Sequence, residues 1–237
     1  MPIKTKEDQP GFIEGMAKPV SRKNFFGIMG AGTAIMIAGA SCHKVNYGNP
    51  GKGSGNGGIN LGSGDIGILN YAYALEQLEA AFYTKIISSP YKNISSMEKA
   101  YLTDIRDHEV AHREFLKAAL SSMAIPALEV NFSSIDFSSR TSVLGTAKAF
   151  EDLGVSAYNG AGQLITNPDY LTIAGKIVSV EARHAAWIRD MIMMNSFGDA
   201  TVVDMNGLDV ERKPNDVLAI AGMYLKSKLD ASNLPTN

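Results

Sequence analysis

Two Glu-x-x-His pairs, Glu109/His112 and Glu181/His184, each follow a glutamate set in a nearly repeated segment. The first segment is Ala74–Tyr83 (ALEQLEAAFY) and the second is Ala149–Tyr158 (AFEDLGVSAY). They agree at Ala, Glu, Leu and Tyr, with Leu75 opposite Phe150. Glutamate and histidine three residues apart lie on one helix face, neighbours across a turn. A Glu on one helix and a Glu-x-x-His on the next, stated twice, is the ligand set of a dinuclear metal site inside a four-helix bundle. Burying four ionised carboxylates together would cost many kcal/mol or force their pKa values up. Two divalent cations carry +4 against the −4 of four carboxylates, which leaves the inner shell neutral.

The repeat discriminates between neighbouring carboxylates. Glu76 is matched by Glu151, whereas Glu79 is matched by Gly154. Glu76 and Glu151 are therefore the expected ligands from the helices without histidine, and Glu79 an accessory ligand or a base behind the ligands. Tyr83 and Tyr158, each seven residues after its Glu, are the catalytic candidates: each either hydrogen-bonds a ligand carboxylate or packs in the core. A lone Glu-x-x-His is common on surface helices. Two copies, each preceded at 30–33 residues by a Glu in matching apolar context, are not. His108 lies off the inward face and reads as solvated, Trp187 as core packing beside His184, and Asp107, Arg113 and Arg183 as rim charges.

The elements that must position these residues read as all-α. A helix is expected from Ile66 to about Ser88, capped by Asp65 and closed by Pro90. Ser95-Ser96-Met97-Glu98 has the form of a capping box for a second helix to about Met123. Residues 124–139 form a long crossover beaded with Leu128, Val130, Phe132, Ile135 and Phe137. A third helix is expected from about Thr141 to Ile165. Asn167-Pro168, a cap and a first-turn proline, opens the fourth, which carries the second Glu-x-x-His. A loop over 196–213 and a fifth helix from Pro214 to about Leu229 end the chain. Two hairpins joined by one long link suit a four-helix bundle over 65–195, with 196–237 as an addition.

The chain has 237 residues, 45% hydrophobic, so it can build one substantial core with extra segments. A net charge of −2 gives no basic excess for nucleic acid. Residues 1–42 read as an export signal: Ser21-Arg22-Lys23-Asn24-Phe25-Phe26, then an apolar run from Gly27 to Ala40, too short for a comfortable membrane span. The charged block resembles a twin-arginine motif with Lys in the second position. Cys42, the only cysteine, stands where a lipoprotein's modified cysteine would. Residues 43–64 read as a Gly/Ser-rich tether. Together these predict an exported periplasmic or cell-envelope protein, either lipid-anchored through Cys42 or released by cleavage of a plain signal peptide nearby with Cys42 incidental.

At Leu69-Asn70-Tyr71-Ala72, Leu75-Glu76-Gln77-Leu78-Glu79-Ala80-Ala81-Phe82-Tyr83, His108-Glu109-Val110-Ala111-His112, Glu151 and Glu181-Ala182-Arg183-His184, the chain resembles the ferritin-like superfamily. It is most similar to the exported ferritin-like proteins labelled desiccation-related. The resemblance implies a bundle with a di-iron or di-manganese centre held by Glu76, Glu109, His112, Glu151, Glu181 and His184, with Glu109 and Glu181 bridging. Two functions are open. One is an oxidoreductase acting on O2 or peroxide, as a ferroxidase, peroxidase or manganese-catalase-like enzyme in stress protection. The other is a non-enzymatic metal-binding or stress-protective bundle. Either is compatible with a homo-oligomer.

Overall fold

The computed structural model describes residues 50–51 and 57–236. The export segment, Cys42 and most of the tether lie outside the described residues. Four long helices carry the fold: α1 (Gly64–Ser88), α2 (Ser96–Leu120), α3 (Arg140–Gly162) and α4 (Pro168–Ile192). Short links make α1–α2 and α3–α4 hairpins, and α1 and α2 pack along their length, as do α3 and α4. Among the described residues, no helix is long and apolar enough to cross a membrane.

The starts follow local chemistry. Ser95 Oγ accepts from the Glu98 amide at 3.0 Å, as the capping box requires. Asn167 Oδ1 accepts from the Asp169 amide at 2.8 Å, with Pro168 in the first turn. Asp65 is not the cap of α1; Ser63 holds that position. Its carboxylate instead accepts from the amides of Thr166 (2.8 Å) and Asn167 (2.9 Å), clamping the α3–α4 turn to the start of α1. The helix ends differ modestly from expectation. After α2 the chain tightens into a 3-10 turn, Ser121–Met123, and α3 ends at Gly162, short of Ile165.

The helix α1 does not show a single inward stripe. Its residues are buried without interruption from Gly67 to Ala80, because neighbours cover every side. The crossover lies against it, pinned by two amides. Asn70, fully buried, donates to the carbonyls of Leu61 (3.0 Å) and Met123 (2.9 Å) and accepts from the Ile125 amide (2.9 Å). Gln77, seven residues on, accepts from the Leu128 amide at 2.8 Å. Phe82 gathers Phe132, Phe137 and Phe150 at ring-centroid distances of 5.0–5.9 Å, sealing one end of the core.

The flanks are built into the domain. The fifth helix, α5 (Pro214–Ala221), is shorter than expected and passes through a 3-10 turn, Gly222–Tyr224, into extended chain. There β2 (Leu229–Asp230) pairs in parallel with β1 (Ile59–Asn60). The end of the presumed tether is thus a strand followed by Leu61, which is completely buried. Such a strand carries no alternation to read, because two residues are too few to define a period.

The 196–213 loop is fixed by Arg189, buried at 2% exposure. Its guanidinium bonds Asp152 at 2.8 and 3.0 Å and Asp199 at 3.0 Å, and donates to Thr201 Oγ1 at 2.8 Å. The chain then crosses α3 at Gly160, where a Cβ would lie 1.9 Å from the Arg212 carbonyl oxygen. Gly160→Ala must therefore displace that backbone. The expected result is a loss of about 1–3 kcal/mol in urea unfolding with helical circular dichroism retained. Faster hydrogen exchange over 210–213 should accompany it.

Candidate metal centre

Each long helix contributes to one buried cluster: Glu76 from α1, Glu109 and His112 from α2, Glu151 from α3, Glu181 and His184 from α4. All four glutamates are 0% exposed. The side chains form two sets, Glu76/Glu109/His112/Glu181 and Glu109/Glu151/Glu181/His184, within each of which ligand atoms lie no more than 4.8 Å apart. Glu109 and Glu181 belong to both.

The sequence repeat becomes a geometric one. His112 Nδ1 lies 2.8 Å from Glu181 and 3.5 Å from Glu76; His184 Nδ1 lies 2.8 Å from Glu109 and 3.5 Å from Glu151. Tyr83 donates to Glu151 Oε1 at 2.5 Å, and Tyr158 donates to Glu76 Oε1 at 2.5 Å. The tyrosines thus cross between α1 and α3, each holding the other helix's glutamate. Burial, and then the neighbouring carboxylate, pushes both phenols well above their usual range, so they stay protonated donors.

The remaining atoms decide what the cluster suits. Glu76 Oε2, Glu151 Oε2, both oxygens of Glu109 and of Glu181, and Nδ1 of His112 and His184 are buried without an aligned hydrogen-bond partner. Several of these atoms are only 2.8 Å apart, yet the N–H directions miss the oxygens. Atoms that approach one another without alignment are aimed at common points between them. Buried polar atoms left this way are ones that an ion or an ordered water would satisfy. Six oxygens and two ring nitrogens, all from carboxylates and imidazoles, could hold a divalent metal ion.

Glu79 belongs to neither set, although it is 4% exposed. Burial first, then the charges of Glu109, Glu181, Glu151 and Glu76, pushes its carboxyl well up, which favours the protonated form. Its Oε1 lies 3.1 Å from where a Cβ on residue 154 would be, which explains the glycine opposite it in the repeat.

Two readings from sequence are corrected. His108 is not simply solvated: its Nδ1 lies 2.9 Å from His184 Nε2, with the two rings within 9° of parallel. Trp187 is not core; it is 41% exposed and packs edge-on against Tyr101 at 4.5 Å. These residues, with Asp104, Ile105 and Arg183, line an open groove whose floor reaches His184. The signal for His108 was the repeat itself, which places Val180 at the matching position.

Without metal, the cluster stores protons. Burial lifts Glu151 from 4.5 to about 7, with His184 opposing. Burial works against the His112 cation, but Glu181 and Glu76 outweigh it and raise it from 6.5 to about 11. Burial also disfavours ionised Glu181, yet His112 and His184 hold it at about 2, so it does not titrate near neutrality. The folded protein therefore binds more protons than the unfolded chain from about pH 4.5 to 7 through Glu151, and from about 6.5 to 11 through His112. Stability then falls as pH rises across that span. The metal-free protein should melt at lower temperature at pH 8.5 than at pH 5.5. Added Mn2+ should reverse the trend, because ligands shed protons to bind metal. At a free concentration of about 1,000 times Kd each site adds about 4 kcal/mol, on the order of 10 °C in Tm. Thermal melts at both pH values, with and without metal, check both signs.

No curated protein matches the chain. Residues 64–194, more than half its length, match the ferritin-like domain family, and the match begins at the first residue of α1 and ends just beyond α4. With the paired hairpins and the doubled glutamate–histidine set in the same span, the chain belongs to the ferritin-like domain family.

Proposed function

We propose that this is a di-iron or di-manganese carboxylate protein of the cell envelope that reacts with O2 or peroxide in oxidative or desiccation stress. The observation that supports the reading is that two candidate ligand sets share Glu109 and Glu181, an arrangement that would suit two ions held by common carboxylates. When bound, such a pair would supply redox equivalents to an oxidant held between or beside the ions. Tyr83 and Tyr158 fix the orientation of Glu151 and Glu76, and Glu79 keeps a proton within the cluster.

Dioxygen as substrate draws support from an apolar cavity of about 20 Å3 whose lining includes Tyr158. Ile68, Ala72, Leu75, Ala161 and Ile177 line it, leaving room for about one water-sized molecule among surfaces that hold water poorly. The envelope location rests on the sequence of residues 1–42.

The test is metal analysis followed by stopped-flow mixing of the anaerobically ferrous-loaded protein with O2 or peroxide. The expected outcome is two metals per chain and oxidation much faster than that of free ferrous ion, with a transient visible absorption. Glu109→Ala with His184→Ala should lose tight binding, beyond the about 10–100-fold typical of disturbing supporting groups. A wild-type protein without metal refutes the reading. Metal bound with no reaction toward either oxidant leaves the non-enzymatic metal-binding bundle.

A further inference from the structure

We infer that His108 makes the two halves of the centre unequal, by fixing the ring of His184 and leaving His112 without a counterpart. The inference rests on the cluster binding metal. Its ground is the contact between His184 Nε2 and His108 Nδ1, 2.9 Å apart, with ring planes 9° apart. His184 presents Nδ1 to Glu109, Glu151 and Glu181. A neutral imidazole that offers Nδ1 as a ligand carries its proton on Nε2, which is the atom facing His108. The bond is then His184 Nε2–H donating to His108 Nδ1, and the proton of His108 sits on its own Nε2. Such a bond selects one tautomer, stops the ring from turning, and makes the ligating nitrogen more basic.

The other half lacks this device. The repeat sets His108, immediately before Glu109, against Val180, immediately before Glu181. By the pseudo-symmetry that pairs His112–Glu181 with His184–Glu109 at 2.8 Å, Val180 is the counterpart of His108 in the other half. Valine offers no acceptor. The ring nitrogen of His112 that meets carboxylates is Nδ1, toward Glu181 and Glu76, and its ring lies 6.4 Å from that of His184 at a tilt of 32°. The ring of His112 is also the less enclosed, its side chain 13% exposed against 5% for His184. The two sets hold the same residue types, although His184 also lies 3.4 Å from Glu181 on its own helix and Glu79 faces Gly154; His108 is the group from outside the sets that meets a cluster imidazole, and it sets the order of filling. The half with His184 loads first and holds metal more tightly.

His108 is exposed at the groove, so replacing it leaves the packed core intact. Anaerobic calorimetric titration with Mn2+ reads both halves separately. Wild type should show two unequal steps. His108→Val, which writes the second copy's residue into the first, should weaken the tighter step by about 10–100-fold and leave the weaker one in place. His108→Gln, which keeps an acceptor, should restore much of the loss, an effect that packing alone would not give. Val180→His should tighten the weaker step. Equal steps in wild type, or a His108→Val titration within twofold of wild type, overturn the inference. So does equal weakening of both steps. Absence of any Mn2+ binding by wild type is a different result: it removes the metal reading itself, and the inference with it.

Discussion

Everything in this fold follows from placing four carboxylates, none exposed to solvent, around two imidazoles in an apolar interior. Charges of one sign at such separations repel strongly when water is absent. The protein has two ways to satisfy them: protons or cations. Protons are taken up where burial dominates, as at Glu151 and Glu79, while Glu181 stays ionised between the two histidines. That compromise leaves oxygens and ring nitrogens close but unaligned. A cation at each convergence point satisfies the same atoms without asking any to donate. The cluster is therefore a poor hydrogen-bond network and a good ligand set, and the second property explains why the first is tolerated.

Holding mutually repelling groups in place demands a stiff surround, and the parts outside the four helices supply it. Asn70 and Gln77 fasten the crossover to α1 with bonds that satisfy buried backbone groups as well. Leu234 near the chain end packs where a Cβ on Gly67 would sit, and β2 pairs with β1 just before α1. Arg189 ties the following loop to Asp152, the residue next to Glu151 of the buried cluster. The first and last described segments thus brace the helices that carry Glu76 and Glu151.

The site was legible in the sequence because its logic is local. Glu-x-x-His reports a helix face by spacing alone, and duplication turned a weak motif into a strong one. The caps at Ser95 and Asn167 were legible for the same reason, since each involves residues two or three apart. What escaped depends on which elements meet. The first helix was read as one-sided, and only the assembled domain shows that neighbours cover all of it. Trp187 has the apolar character of a core residue, but its turn of α4 faces Tyr101 at the surface. His108 lies off the inward face of its own helix, yet the outward nitrogen of a histidine on another helix reaches it.

The departures from symmetry are as informative as the symmetry. A doubled hairpin with identical halves would bring a sixth glutamate opposite Glu79. The space there admits only one: Glu79 Oε1 already lies 3.1 Å from the position a Cβ at 154 would take. A further carboxyl at that level would add desolvation cost and repulsion with no additional cation to relieve them. Glycine at 154 removes both the bulk and the charge, and so lets the remaining acid stay buried and protonated. At positions 108 and 180 the asymmetry runs the other way, because there one copy gains a group. An imidazole within hydrogen-bond distance of His184 stands where the second copy has only a hydrocarbon. Shared glutamates tie the two sets of candidate ligand atoms together, while these two substitutions give the sets different neighbours. A centre built by repetition has in this way acquired two distinguishable ends.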